Sequence, residues 1–133
     1  MPALKKRKLL ILDDNASFAE SLSDVLSREG FETRWSPQAA AARKLAVEFH
    51  PEVLIVDVNL LTVSGIDVAQ QFCRDRLVGF VVFLTGSVDM DQSDIPAELQ
   101  PIAVVLHKPV EKEDLLDAIS RLSRKLPGAA ASS

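Results

Sequence analysis

Two runs in this chain are apolar at every position, Val53 to Val56 in "VLIVD" and Phe80 to Leu84 in "FVVFLT". A strand with one wet face alternates apolar and polar residues. A continuous β-branched run needs cover on both faces, the condition of a strand inside a parallel sheet. Leu9–Leu12 in "LLILDD" and Ile102–Leu106 in "IAVVL" have the same character, and Phe31 to Trp35 in "FETRW" alternates like a shorter strand with a wetter face. Amphipathic stretches separate them. Phe18, Leu22, Val25 and Leu26 form one helical stripe, with Asn15 or Ser17 available as N-cap and Gly30 closing the helix. Ser36-Pro37 is expected to start a second helix, proline suiting the first helical position, and His50-Pro51 to stop it after Phe49. A third helix is expected from about Ile66 to Arg74, and a last one over Leu115, Leu116, Ile119 and Leu122, with Glu111, Glu113 and Asp114 in its first turn. Five strands alternating with helices imply an α/β fold, a doubly wound five-stranded parallel sheet.

One segment breaks the rhythm. "GSVDMDQSDIPAELQP" should hold a helix, yet Pro96 and Pro101 interrupt it. A helix crossing Pro96 would lose a hydrogen bond and clash, at about 3 kcal/mol. The expectation is a loop and then a short helix starting near Pro96.

Bulk properties narrow the class. At 133 residues the chain has room for one core, and 47% hydrophobic with 26% charged residues is the balance of a globular rather than a disordered chain. No apolar run approaches the ~20 residues of a membrane helix, and no secretory signal pattern is present. The single Cys73 has no disulfide partner within the chain, which suits a reducing cytoplasm, and "AQQFCRDR" places it on a helix as a small hydrophobe. A formal charge of −4 gives no electrostatic reason to expect nucleic-acid binding, and "KKRK" at Lys5 to Lys8 reads as a solvated lead-in to the first strand.

Doubly wound sheets place ligands beyond the carboxyl ends of their strands. Here the first strand ends at Asp13-Asp14, the third at Asp57, the fourth at Thr85 and the fifth at Lys108-Pro109. Carboxylates, a hydroxyl and an ammonium would meet on one rim. Adjacent carboxylates repel by ~4 kcal/mol at 4 Å and the effective dielectric of a protein surface, so the pair suggests a seat for a hard divalent cation. The chemistry that fits is phosphoryl transfer to a carboxylate, where positioning and charge neutralisation do most of the catalysis. A crowded acidic pocket also implies that magnesium stabilises the fold, and that Asn at either Asp13 or Asp14 raises metal-free stability.

Asp13-Asp14, a strand-end Asp57 followed by Gly65, Thr85, and Lys108-Pro109, in that order, make the chain resemble the receiver domain of two-component response regulators from about Lys8 to Leu126. The resemblance implies a flavodoxin-like sheet of order 2-1-3-4-5, with residues 1–126 as the receiver domain and 127–133 as a flexible tail. It implies Asp57 as phosphoacceptor and Mg2+ as cofactor, bound directly by Asp14, Asp57 and the backbone carbonyl of Asn59, with Asp13 acting largely through water. Thr85 would carry the switch and Lys108 would pair with a phosphate oxygen. Gly86 would leave access for the phosphodonor, and the Lys108-Pro109 bond would be cis. A histidine kinase or phosphotransfer protein would supply the phosphate in the cytoplasm, and an unknown protein partner would read it, with no direct contact to nucleic acid or membrane. Such a domain promotes its own phosphorylation and dephosphorylation without turning over a free substrate.

Three positions depart from the family pattern. Val105 stands where an aromatic ring usually reorients, Leu61 stands where proline is usual, and the fourth helix is interrupted by proline. These suggest phosphorylation chemistry kept and the output face rebuilt. Two alternatives stay open: a pseudo-receiver that docks partners without phosphoryl turnover, or the N-terminal receiver of a larger DNA-binding regulator or hybrid kinase. A haloacid-dehalogenase-like phosphatase is disfavoured, because Asn59 stands where that family needs a second aspartate.

Overall fold

The computed structural model describes residues 6–124. Five parallel strands, β1 (Lys8–Leu12), β2 (Glu32–Ser36), β3 (Val53–Asp57), β4 (Phe80–Thr85) and β5 (Ala103–His107), form one sheet in the order β2-β1-β3-β4-β5. Among the described residues four α-helices flank it: α1 (Ala16–Arg28), α2 (Ala39–Phe49), α3 (Gly65–Arg74) and α4 (Lys112–Ser123). The expected flavodoxin-like sheet is therefore present.

The period of two along each strand divides the core into two layers. Leu10, Leu12, Leu54, Val56, Val81 and Phe83 pack with Ala42 and Ala46 of α2 and with Ala69 and Phe72 of α3. Leu9, Ile11, Val53, Ile55, Val82 and Leu84 pack on the other face with Ala19 and Leu26 of α1 and with Leu115 and Ile119 of α4. Both faces of β1, β3 and β4 are thus dry, and this explains their unbroken apolar runs. Asn15 caps α1, its side chain accepting the Phe18 N–H at 3.0 Å, and Ser64 caps α3 by accepting the Ile66 N–H at 3.2 Å. No helix among the described residues is long and apolar enough to cross a membrane. The expected tail, 127–133, lies outside the described residues.

Two local expectations are corrected. Ser36 does not open a helix but closes β2, and α2 starts later, at Ala39 with Gln38 as its N-cap. The Ser36 hydroxyl accepts the Gln38 N–H at 3.1 Å and donates to the Gln38 carbonyl at 3.0 Å, which ties the chain into a turn around Pro37 and delays the helix. Nor does a helix start at Pro96. The segment forms two 3-10 turns, Gln92–Asp94 and Gln100–Ile102, with Pro96 between them. A stretch bounded by Pro96 and Pro101 is too short to propagate an α-helix. Tertiary bonds hold it instead. Ile95 and Leu99 are buried in the core, Gln92 Nε2 donates to the Ala103 carbonyl at 2.7 Å, and Glu98 accepts from Gln70 and Arg74 of α3.

Cys73 lies on α3 against the core as expected. Burial, with a smaller contribution from the nearby Glu98 charge, pushes its thiol up to about 11. At pH 8 the thiolate is scarce, so the native protein should react with iodoacetamide far more slowly than the urea-unfolded chain. Equal labelling rates in the two states would overturn this placement.

Candidate functional site

The carboxyl ends of β1, β3, β4 and β5 reach the same rim, and backbone bonds hold each site residue to a neighbouring strand. Asp13 N–H donates to the Ser36 carbonyl at 3.3 Å, Val58 N–H to the Leu84 carbonyl at 2.9 Å, and Lys108 N–H to the Thr85 carbonyl at 2.8 Å. The Lys108-Pro109 peptide bond is cis.

One ammonium joins the site. Lys108 Nζ donates to Asp13 Oδ2 at 2.9 Å and to Asp57 Oδ2 at 3.0 Å. The other oxygen of each carboxylate accepts a backbone N–H two residues on: Asp13 Oδ1 from Asn15 at 2.9 Å, and Asp57 Oδ1 from Asn59 at 2.8 Å. The Asp13 side chain is 2% exposed and that of Asp57 14%, so neither charge is met mainly by water. Burial pulls the Lys108 ammonium towards the neutral form. The hydrogen bonds and charges of Asp13 and Asp57 outweigh it and hold Lys108 above the ordinary lysine value of 10.5.

Asp14 has a different partner. Its Oδ2 accepts the N–H of Leu61, on the loop between β3 and α3, and the Leu61 side chain is 88% exposed. The adjacent carboxylates thus have different partners, and the expectation that Asn at position 13 relieves repulsion is revised. The Asp13 charge is met by Lys108, so Asp13→Asn removes an attraction.

Thr85 is fully buried at the end of β4, its Oγ1 accepting the Ser87 N–H at 3.0 Å. A Cβ built on Gly86 meets nothing within 4 Å, so the space beside Thr85 is open. Gly65 is the opposite case: a Cβ there would stand 2.0 Å from the Asp57 carbonyl oxygen. Val105 pairs with Phe83 across the sheet and packs half-buried against the α2–α3 layer of the core. His107 is exposed, its Nε2 2.7 Å from the Met90 carbonyl oxygen.

The acids at the rim, Asp13, Asp14 and Asp57, offer oxygen donors. Among the described residues no three His, Cys, Asp or Glu side chains are gathered as a metal cage. Hard carboxylate oxygens are the donors magnesium takes, one or two of them beside several waters.

A family model described as the response regulator receiver domain matches residues 9–120. The chain belongs to that family. Receiver domains are parts of two-component systems, and this one has relatives with further resemblance. It is 34% identical over 84 residues to the DNA-binding response regulator MtrA of Mycobacterium tuberculosis, covering 63% of this chain and 36% of that protein. It is 26% identical over 119 residues to the DNA-binding dual master transcriptional regulator RpaA of Synechocystis, covering 89% of this chain and 49% of that protein. The receiver domain described here thus spans between a third and a half of the length of these curated relatives. Solved structures with the same fold include two receiver domains. The chemotaxis response regulator CheY4 of Vibrio cholerae has a TM-score of 0.76 at 22% identity, covering 89% of this chain and 99% of that one. The signal receiver domain of an HD domain-containing protein from Pseudomonas fluorescens has a TM-score of 0.79 at 18% identity, covering 90% and 96%.

Two features of this receiver domain escape sequence reasoning. The Leu61 N–H on Asp14 is a backbone contact between distant segments, and side-chain patterns carry no signal of it. The Phe18 ring, with Lys108 Nζ 4.5 Å from its centroid, belongs to the apolar stripe of α1 and reads as core. Its position one helical turn after the acidic pair is the available signal.

Proposed function

We propose that this receiver domain is a phosphorylation-dependent signalling switch that accepts a phosphoryl group on Asp57 from a histidine kinase or phosphotransfer protein. The bridge of Lys108 between Asp13 and Asp57 is the observation that carries the reading. It holds a cation beside the nucleophile and keeps Asp57 Oδ2 aimed into the site. Asp57 attacks phosphorus, the bond from phosphorus to the donor atom breaks, and the departing group takes the electron pair, acetate leaving as the anion and a histidine donor regaining its proton from solvent. Lys108 exchanges its Asp57 oxygen for a phosphoryl oxygen, and the Thr85 hydroxyl serves as the further donor. Asp14, Asp57 and the Asn59 carbonyl would hold magnesium, with Asp13 acting through water. Bound there, the ion supplies neutralisation of the charge on nucleophile and phosphate. The protein would work in the cytoplasm through a protein partner, with no turnover on a free substrate and no direct contact with nucleic acid.

A second reading concerns the context. The curated relatives are DNA-binding regulators by name, and the chain covers about a third of one and half of another, which favours the receiver part of a larger regulator.

The test is intact mass after incubation with magnesium and acetyl phosphate, beside Asp57→Asn. A single phosphoryl adduct on the wild type and none on the variant is expected. No adduct on the wild type, from acetyl phosphate or from a histidine-kinase donor, would favour the pseudo-receiver. An adduct persisting on the variant would place the acceptor elsewhere.

A further inference from the structure

The ammonium of Lys108 has three protons to place. Asp13 and Asp57 each take a hydrogen bond, and the face of Phe18 lies 4.5 Å from the nitrogen. The backbone of Phe18 is held in the same circuit. Phe18 N–H donates to the Asn15 side chain that caps α1, and Asn15 N–H donates to the oxygen of Asp13 that Lys108 leaves free. Asp13, Asn15, Phe18 and Lys108 therefore close a loop joining the end of β1, the start of α1 and the end of β5. A half-buried phenyl face attracts a cation by its quadrupole and displaces water from one side of it.

We propose that Phe18 is a positioning residue for phosphoryl transfer at Asp57, its ring fixing where the Lys108 ammonium stands. During transfer the ammonium must release an Asp57 oxygen and take a phosphoryl oxygen. Asp13 and the ring are the two contacts that stay, so together they set the pivot. Asp13 alone fixes a distance; the ring fixes the direction. This role rests on Asp57 being the phosphoacceptor. Phe18 would touch neither substrate nor phosphate and would act through Lys108.

The test compares Phe18→Leu, which keeps an apolar side chain and loses the quadrupole, with Phe18→Tyr, which keeps the ring. Two readouts are needed. In proton NMR, the Lys108 Cε methylene of the wild type and of Phe18→Tyr should be shifted upfield by the ring, and Phe18→Leu should lose that shift. In the acetyl phosphate assay, Phe18→Leu should slow adduct formation at saturating donor about five-fold, the scale of an exposed cation–π contact, with the half-saturating donor concentration unchanged. Phe18→Tyr should stay within about two-fold of the wild type, whereas a merely structural role would not follow the ring. A wild-type methylene without the upfield shift, or Phe18→Leu as fast as wild type, overturns the proposal. An absent adduct on wild type overturns the phosphoacceptor reading, and a retained ring shift tells that failure from a failure of the clamp. The ring shift is read on the wild-type protein, so it decides the outcome even if Phe18→Leu folds poorly.

Discussion

Gly65→Ala is expected to cost about 3 kcal/mol or more and to lower the melting temperature by roughly 10 °C. The added methyl would stand 2.0 Å from the Asp57 carbonyl oxygen, 2.9 Å from its carbon and 2.9 Å from the Val58 Cα. All three are backbone atoms, so no side chain can swing aside. Gly65 N–H also donates to the Val58 carbonyl at 2.8 Å, and Asn59 and Ser64 form a bridge across the loop between β3 and α3. The start of α3 is thereby clamped onto the peptide units at and just after Asp57. Relief requires moving either α3, which carries buried Val68, Ala69 and Phe72, or the Asp57 peptide that aims the carboxylate. The variant should therefore lose adduct formation even at a temperature where circular dichroism shows it folded. Gly86→Ala is the control, because a Cβ there meets nothing within 4 Å, and it should melt close to the wild type. A Gly65→Ala midpoint within about 2 °C of the wild type, a shift of well under 1 kcal/mol, would contradict the close approach.

The same contrast shows why parts of the molecule are legible in the sequence. Val53–Asp57 and Phe80–Thr85 announce strands covered on both faces because their burial is itself continuous. The rim follows from topology, since parallel strands deliver Asp13, Asp57, Thr85 and Lys108 to one edge. What fails are features settled by partners far along the chain or by local competition. A serine hydroxyl at Ser36 captures backbone groups and postpones α2, and a rule about proline has no term for it. Pro96 bars a helix from running through it without saying what replaces one. The replacement is fixed by Gln92 reaching Ala103 and by Ile95 and Leu99 entering the core. The acidic pair was legible as a charge cluster, but not the division of labour that gives Asp13 to Lys108 and Asp14 to the Leu61 N–H.

That division makes Lys108→Met the most informative charge deletion. It leaves the buried Asp13 carboxylate facing Asp57 with no cation between them. Breaking a buried pair from one side costs about 3–5 kcal/mol. Lys108 is 27% exposed, so water takes part of its place and roughly 2–3 kcal/mol is the expected loss in chelator at pH 8. The sign of a second change then discriminates. Asp13→Asn should destabilise the wild type, where it removes a partner of Lys108. In the Lys108→Met background the same change should stabilise, because it removes an uncompensated charge. Magnesium should narrow the gap between Lys108→Met and the wild type by returning positive charge to the carboxylates.

The pH dependence follows from the raised value of Lys108 in the folded state. A lysine held above its unfolded value of 10.5 contributes stability that is fully present below that pH and is lost as pH rises through the folded value. The stability difference between wild type and Lys108→Met, measured by urea unfolding, should therefore be flat from neutral pH to about 10 and shrink above it. Asp13→Asn acting with the same sign in both backgrounds would mean that the ammonium does not bridge the two carboxylates in solution. A difference that grows as pH rises towards 10.5 and levels off above it would mean that the folded state lowers the lysine value. Burial would then dominate over the pairing with Asp13 and Asp57.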